Sequence, residues 1–218
     1  MTAAPTEFVL VRHGQTVWHA ENRYAGRADI ALTDTGRAQA EDLAAWAAKA
    51  PGRPFDAVVH SPLSRARLTA EPAARALGLS PRVDERLLEL DFGRGEGLNL
   101  TEMSNLFPTE FAAYLRRPVT DHLPDGEDPR AAAARGRACL EELAVEHPGG
   151  RVLVVAHNAL FRVLLCDLLG IDLDSFRTAL PVLDNNTRTE IRLGPTGVGL
   201  LTFNTPLADA LGTPLTRP

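Results

Sequence analysis

Three short runs of apolar residues recur along the chain, at residues 8–11, 56–59 and 151–156. The runs are rich in valine and show no regular alternation of polar and apolar side chains. Strands that are covered by helices on both faces have this composition, whereas strands with one solvated face alternate. The runs therefore predict buried strands of a mainly parallel sheet.

Stretches of helix-forming residues separate these runs. The first begins after Thr33, a residue type that caps helix N-termini, and stops before Pro51 and Gly52. Gly78 and Gly170 are placed to end two other helices. The predicted helices cover residues 34–50, 64–77, 101–116, 127–146 and 158–169.

The rest of the pattern completes an α/β fold. A short strand is predicted at residues 82–83, and two alternating runs at 187–193 and 199–203 are predicted as edge strands. Residues 206–218 are rich in proline and are expected to be loose. Strands that alternate with helices predict a single domain over residues 1–218, a three-layer sandwich whose mainly parallel central sheet carries helices on both faces.

Composition narrows the classes of function. The 218 residues carry a net charge of −5, which argues against a general nucleic-acid binder. Lys49 is the only lysine, which argues against mechanisms that need an active-site lysine. Cys139 and Cys166 lack the spacing of zinc ligands and are expected to be buried free thiols. The N-terminal residues resemble neither a signal peptide nor a membrane span, so we expect a soluble cytoplasmic protein with no membrane partner.

Basic and imidazole side chains follow the predicted strands. Arg12 and His13 come after the first strand, Arg65 follows the second within a short turn, and His157 follows the run at 151–156. Because ligands of open α/β sheets bind beyond the carboxyl ends of the strands, we expect these side chains to meet. Two guanidinium groups and two imidazoles suit a dianion such as a phosphoryl group. An imidazole there acts as nucleophile, general base or hydrogen-bond donor, and the residues alone leave these roles open.

Five blocks around these residues resemble motifs of the histidine phosphatase superfamily, the phosphoglycerate mutase-like enzymes. Residues 10–16, LVRHGQT, are similar to the family's L-x-R-H-G-x-T signature. The other blocks follow in the family's order: LTDTGRAQA at 32–40, SPLSRA at 61–66, LELDFGRGEG at 88–97 and VVAH at 154–157. The resemblance implies the phosphoglycerate mutase-like fold. It also implies a metal-independent phosphomonoesterase that needs no cofactor and acts on a small phosphorylated metabolite.

The resemblance implies a role for each matching residue. His13 is expected to be the nucleophile that forms phosphohistidine, while Arg12, Arg65 and His157 hold the three equatorial phosphoryl oxygens. Glu89 is expected to protonate the leaving alkoxide and then to take a proton from the attacking water. Further contacts with the substrate are expected from Gln15, His19, Gly26 and Asn158.

Three positions depart from the family pattern. His19 stands where the family often has an asparagine that contacts phosphate, and Asn158 and Ala159 stand where it usually has two glycines. A histidine can still donate a hydrogen bond, but it is larger than asparagine and it titrates. These changes leave the core chemistry in place and bear on which substrate fits.

The segment at about 98–130 is expected to form a helical lid that selects the substrate. Arg116 and Arg117 are candidate contacts for an acidic group, but the favoured interpretation of this pair is a solvated helix end. This segment is shorter than its counterpart in the mutases, and a short lid admits water, which favours hydrolysis over the alternative of phosphoglycerate mutase-type transfer. A non-catalytic phosphoester-binding protein is the second alternative, because a fold alone does not prove activity. The sequence leaves the oligomeric state open, and a homodimer through an edge strand is one arrangement it allows.

Overall fold

A six-stranded sheet forms the centre of the computed structural model, which describes residues 4–207; the predicted loose tail from 208 onward lies outside the described residues. The sheet order is β3-β2-β4-β1-β5-β6. The first four strands in this order run parallel, and β5 and β6 are antiparallel to their neighbours. The strands are β1 (Thr6–Arg12), β2 (Ala57–His60), β3 (Arg82–Val83), β4 (Arg151–Ala156), β5 (Thr187–Gly194) and β6 (Gly197–Pro206).

Helices cover both faces of the sheet and confirm the predicted α/β fold class. Thr33 caps α1 as predicted, because its hydroxyl accepts a hydrogen bond from the Gly36 amide. Gly78 and Gly170 end α2 and α6 in the left-handed conformation that glycine adopts without strain. The helices are α1 (Asp34–Lys49), α2 (Ser64–Leu77), α3 (Leu100–Leu106), α4 (Pro108–Arg116), α5 (Pro129–Glu146), α6 (Asn158–Leu169) and α7 (Phe176–Ala179).

Successive side chains of the central strands enter two different cores. Val9 of β1 belongs to the core that the sheet shares with α1 and α2, through residues such as Leu43 and Ala70. Phe8, its neighbour in sequence, belongs to the core on the opposite face, which includes Leu140 of α5. The central strands are therefore buried on both faces, which explains why their sequences are uniformly apolar. Cys139 and Cys166 are buried free thiols, as predicted.

The prediction that residues 187–193 form an edge strand is wrong. Strand β5 pairs with β1 on one side and with β6 on the other, so the edges of the sheet are β3 and β6. Alternate residues of β5, such as Thr189 and Ile191, are buried, and those between them are half-buried. The polar–apolar alternation of β5 therefore arises because one of its faces is partly exposed to solvent, and not because the strand lies at the edge of the sheet.

The single helix predicted at 101–116 is two helices. Helix α3 ends at Leu106, Phe107 has an extended φ of −147°, and Pro108 starts α4. Proline disfavours helical geometry in the residue before it and has no amide hydrogen to continue the helix. The two helices share a small apolar cluster made of Met103, Phe107, Phe111, Tyr114 and Leu123. Within residues 4–207, no helix has both the length and the hydropathy needed to cross a membrane.

The loop after β1 passes against the start of α1 with no room for side chains between them. A Cβ on Gly36 would lie 2.1 Å from the carbonyl oxygen of Gln15, and a Cβ on Gly14 would lie 2.5 Å from the carbonyl oxygen of Gly36. Glycine is required at both positions because backbone atoms, which cannot rotate away, occupy the space. This contact fixes the path of the chain immediately after His13.

We expect Gly36→Ala to lower the free energy of unfolding by about 1–3 kcal/mol or more, since overpacking forces backbone shifts of this cost. Gly199→Ala in β6 is the matched control, because nothing lies within 4 Å of its Cβ position. Urea unfolding of the two variants and the parent measures the difference. A Gly36→Ala variant as stable as the Gly199→Ala variant would contradict the close approach.

Candidate active site

Two histidines meet at the carboxyl ends of β1 and β4. Arg12 pairs with Ala156 across these strands, so His13 and His157 emerge side by side, with ring centroids 5.2 Å apart. The Nδ1 atom of His13 lies 2.7 Å from the Gly14 carbonyl oxygen, which can only accept, so Nδ1 carries the proton. The lone pair of neutral His13 is therefore on Nε2.

His13 is held in its neutral form. Its side chain is buried, and burial lowers its pKa well below the usual value. The guanidinium groups of Arg65 and Arg12 lower this pKa further. A neutral imidazole with one free ring nitrogen is the form that can act as a nucleophile.

His157 is buried completely beside His13. Its Nε2 atom lies 2.7 Å from the Ser61 hydroxyl, and its Nδ1 atom has no hydrogen-bond partner among residues 4–207. Burial lowers the pKa of His157 well below the usual value, with a second contribution from Arg65. When Nε2 accepts from Ser61, the Nδ1 proton can be donated to a ligand.

Backbone carbonyls hold the two arginines of the site. Arg65 donates from its terminal nitrogens to the carbonyl oxygens of Ala25, Gly26 and Ala28, at 2.7–2.8 Å. Arg12 donates from Nη1 to the Leu183 carbonyl oxygen at 2.6 Å. Burial lowers the pKa of Arg12 to about 10. These backbone carbonyls carry no net charge, so they fix both guanidinium groups in position without neutralising their positive charge.

Three buried donors in this region lack partners among the described residues. They are the Nε groups of Arg12 and Arg65 and the Nδ1 of His157. A buried donor without a partner costs free energy, and native proteins keep such groups mainly where a ligand or water satisfies them. Two cationic donors and one imidazole around the His13 ring make a site for a tetrahedral anion.

Glu89 lines the same cavity and caps helix α6. Its Oε1 atom accepts from the amides of Leu90 and Leu160, at 2.9 and 2.8 Å, and its Oε2 atom accepts from the Ala159 amide at 3.1 Å. Asn158 and Ala159, which replace the family's two glycines, thus lie at the N-terminus of α6, where the Glu89 carboxylate accepts hydrogen bonds from backbone amides. The other acidic residues near Glu89 in the sequence, Glu85, Asp91 and Glu96, do not line the cavity.

Arg135 of α5 binds the backbone next to Glu89. The Nη1 group of Arg135 donates to the carbonyl oxygens of Arg86 and Leu88, at 2.7 and 2.6 Å, and its Nη2 group donates to the carbonyl oxygen of Glu89 at 3.2 Å. Arg135 also pairs with Glu127. Arg135 therefore positions the carboxylate without entering the cavity, and no sequence motif singled it out.

His19 lines the cavity and contacts Arg12. Its Nε2 atom lies 2.8 Å from Nη2 of Arg12, which can only donate, so this ring nitrogen accepts. Its Nδ1 atom lies 2.8 Å from the Thr16 hydroxyl. Burial, together with the charge of Arg12, lowers the pKa of His19 to about 4. His19, which stands at a position that differs from the family pattern, is therefore neutral and orients Arg12 by accepting a hydrogen bond from it.

The other expected substrate contacts divide into two groups. Asn158 lines the cavity. Gln15 and Gly26 do not: the Gln15 side-chain oxygen accepts from the Thr33 hydroxyl at 2.8 Å, and the Gly26 carbonyl accepts from Arg65. In the structure these two residues support the loops around the site, and a direct contact between them and the substrate stays a prediction.

The cavity extends well beyond His13, with a volume of about 910 Å³. His157 and Arg65 are completely buried next to His13 and do not line the cavity. Arg116 and Arg117 do not line it and are exposed. Its outer wall includes Tyr114, which lies in the segment at 98–130 that was expected to select the substrate. Arg162, which the sequence analysis did not single out, could have been found, because it lies four residues after Asn158 on α6 and thus on the same face. The other residues of the wall, which had no sequence signal, include Tyr24, Phe176 and Arg177.

Comparison with known proteins identifies the family. The sequence matches the histidine phosphatase superfamily (branch 1) over residues 8–206. Phosphoserine phosphatase 1 of Hydrogenobacter thermophilus is 32% identical over 170 residues, which are 78% of this chain and 79% of that protein. The bifunctional protein Rv2228c of Mycobacterium tuberculosis is 38% identical over 162 residues; the match covers 74% of this chain and only 43% of that longer relative.

Solved structures agree with the sequence matches. The native structure of a mycobacterial glucosyl-3-phosphoglycerate phosphatase superimposes with a TM-score of 0.83 at 29% identity, covering 92% of this chain and 99% of that one. The family match runs through every strand of the sheet described above. The chain therefore belongs to the histidine phosphatase superfamily.

Proposed function

We propose that this protein hydrolyses phosphomonoesters of small metabolites in two steps, through a phosphohistidine formed on Nε2 of His13. The observation that carries the proposal is the set of buried donors without partners, on Arg12, Arg65 and His157, around a neutral imidazole. Relatives named for phosphoserine and for glucosyl-3-phosphoglycerate support a small phosphorylated metabolite as the substrate.

In the first step, Nε2 of His13 attacks phosphorus and the bond to the ester oxygen breaks. Glu89, in its protonated form, gives its proton to the departing alkoxide. The Nε groups of Arg12 and Arg65 and the Nδ1 group of His157 donate to the equatorial oxygens, where negative charge accumulates in the transition state.

In the second step, water attacks the phosphohistidine and the nitrogen–phosphorus bond breaks. The Glu89 carboxylate takes a proton from the water, and phosphate leaves with His13 restored to its neutral form. The two arginines supply the positive charge that the phosphoryl group needs, so no step in this mechanism calls for a metal ion. We expect treatment with a chelator to leave the rate unchanged.

We expect His13→Ala to lower kcat for an aryl phosphate by about 10³-fold or more, because no other group can form the covalent intermediate. His122→Ala is the matched control, since this histidine lies outside the site cavity. Phosphate release measures both, and mass spectrometry of the acid-labile adduct locates the phosphoryl group. Equal activity of the two variants, or an adduct on another residue, would contradict the proposal.

Glu89→Gln separates proton transfer from helix capping. A poor alkoxide leaving group needs the proton, whereas a nitrophenolate leaves without it, so we expect kcat to fall by about 10²-fold or more for an alkyl phosphate and at least ten times less for 4-nitrophenyl phosphate. A loss of capping alone lowers both rates equally. Equal losses on the two esters would therefore assign Glu89 a structural role only.

The neutral state of His13 has a measurable effect on stability. The pKa of His13 is well below 6.5 in the folded protein and returns to about 6.5 on unfolding. Just below pH 6.5 the unfolded chain therefore binds more protons than the folded one, and the free energy of unfolding decreases as the pH is lowered. We expect His13→Asn to reduce this slope by about 1.4 kcal/mol per pH unit between about pH 6 and pH 5. Urea unfolding of parent and variant at several pH values measures both slopes; parallel curves would mean that folded His13 titrates normally.

A further inference from the structure

The outer wall of the cavity holds two more arginines whose charge the protein does not neutralise. Arg162 donates from Nε to the Leu180 carbonyl oxygen at 2.6 Å, and from Nη2 to those of Phe176 and Pro181 at 3.5 and 3.4 Å. These carbonyls fix its orientation. They carry no net charge, so the guanidinium stays cationic and half-buried.

Arg177 lies next to it, against two tyrosines. Its Nη2 group donates to the hydroxyl of Tyr24 at 2.9 Å and to the hydroxyl of Tyr114. The Arg177 guanidinium also stacks over the Tyr114 ring, 4.4 Å from its centroid. The aromatic rings hold the cation in place while leaving Nε and Nη1 free of protein hydrogen bonds within the described chain.

No carboxylate of residues 4–207 lies within 4 Å of either guanidinium, which distinguishes them from Arg23, whose charge Glu21 and Glu102 compensate at the same cavity. Burial lowers the pKa of Arg162, and the charge of Arg177 lowers it further. Glu89 is the acid that offsets this most, but its oxygens are already bonded to the amides of α6. Two like charges side by side without an acid are costly unless an anion joins them.

Several donors of these residues remain for a ligand. They comprise Nη1 of Arg162, Nε and Nη1 of Arg177, and a hydroxyl proton of the Tyr24–Tyr114 pair. Burial raises the pKa of Tyr114 well above its usual value, so its hydroxyl stays protonated and can donate. All four residues line the cavity that contains His13.

We propose that Arg162, Arg177, Tyr24 and Tyr114 form a second anion subsite that binds a carboxylate on the body of the substrate, so that the substrate class is phosphorylated carboxylic acids. The inference rests on the proposed function, because it places the carboxylate on the molecule whose phosphoryl group reaches His13. A carboxylate, with about four lone-pair directions on two oxygens, can accept hydrogen bonds from Nη1 of Arg162, from a free nitrogen of Arg177 and from a tyrosine hydroxyl.

The charge balance leaves positive charge for a further anionic group on the substrate. Arg12, Arg65, Arg162 and Arg177 contribute four positive charges, and a bound phosphoryl dianion offsets two of them. Glu89 is protonated when the ester binds in the proposed mechanism, so it offsets none of this charge at that stage. Uncompensated positive charge in a buried place favours an anion there.

Two phosphate esters that differ only at the relevant group test the subsite. In 3-phosphoglycerate a carboxylate stands where glycerol 3-phosphate has a hydroxymethyl group, and the leaving alkoxides are alike. We expect the parent protein to release phosphate from 3-phosphoglycerate with a kcat/KM at least about ten-fold higher, the effect of a charge-assisted hydrogen bond. Equal values for the two esters would overturn the subsite while leaving the phosphatase activity established.

Substitutions assign the preference to particular residues. We expect Arg177→Gln to bring the ratio of the two kcat/KM values close to one, and Arg177→Lys to retain part of the preference. Arg116→Gln is the matched control: it removes the same charge from an exposed position outside the cavity and should leave the ratio as in the parent. Hydrolysis of glycerol 3-phosphate by each variant reports that the site is folded.

The outcomes separate the two proposals. A parent protein that hydrolyses neither these esters nor an aryl phosphate would overturn the proposed function itself. A parent that prefers 3-phosphoglycerate, together with an unchanged ratio in Arg177→Gln or an equal loss in Arg116→Gln, would move the recognition of the carboxylate elsewhere. If Arg177→Gln does not fold, the ratio in the parent and in Arg177→Lys still decides.

Discussion

The constraint on which this structure depends is the burial of two guanidinium groups, those of Arg12 and Arg65, that form no ion pair with a carboxylate of residues 4–207. Arg12 and Arg65 both lie near the buried His13 ring, and their charges repel each other. A protein that paired them with its own acids would be more stable and could not bind an anion with them. The chain instead surrounds each guanidinium with carbonyl oxygens, which orient it and leave its charge for a ligand.

Several loops around the sheet supply the backbone groups that hold these charged side chains. Residues 25–28 supply the carbonyls for Arg65, and Leu183 supplies one for Arg12. The negatively charged group of the site is held in a similar way, because the carboxylate of Glu89 accepts hydrogen bonds from backbone amides at the start of α6. Charged groups of both signs are therefore held by neutral backbone partners, and the regular elements provide the rigid frame that keeps these loops in place.

The sequence predicted the parts of the protein that short-range rules govern. Apolar runs, a capping threonine and two terminal glycines located the central strands and four helices, and the carboxyl-end rule brought His13, Arg12 and His157 together. The resemblance to a family then supplied the roles. Strand β5 was misplaced because alternation reports how a strand is covered and does not report its neighbours in the sheet.

The outer cavity could not be predicted for a different reason. Arg177 lies on a four-residue helix that no periodicity marks, and its partners Tyr24 and Tyr114 are distant in the chain. Arg116 and Arg117 lie in the expected lid and face solvent, as expected for a solvated helix end. Which of many arginines enters a cavity depends on tertiary packing, and a single sequence does not encode that in any local pattern.

The strand that carries the nucleophile is enclosed by late parts of the chain. Strand β1 is paired on one side by β4 and on the other by β5, and the Arg12 guanidinium bonds to a carbonyl 171 residues further on. The loop after Leu183 adds two more contacts, from Asn185 to the His13 carbonyl and from the Asn186 amide to the Arg12 carbonyl. During synthesis on the ribosome, β1 therefore lacks β5 as a neighbour until residues 187–194 have emerged. Contacts of such high sequence separation slow folding, and a nascent chain that has not reached these residues lacks the contacts that hold Arg12 and His13.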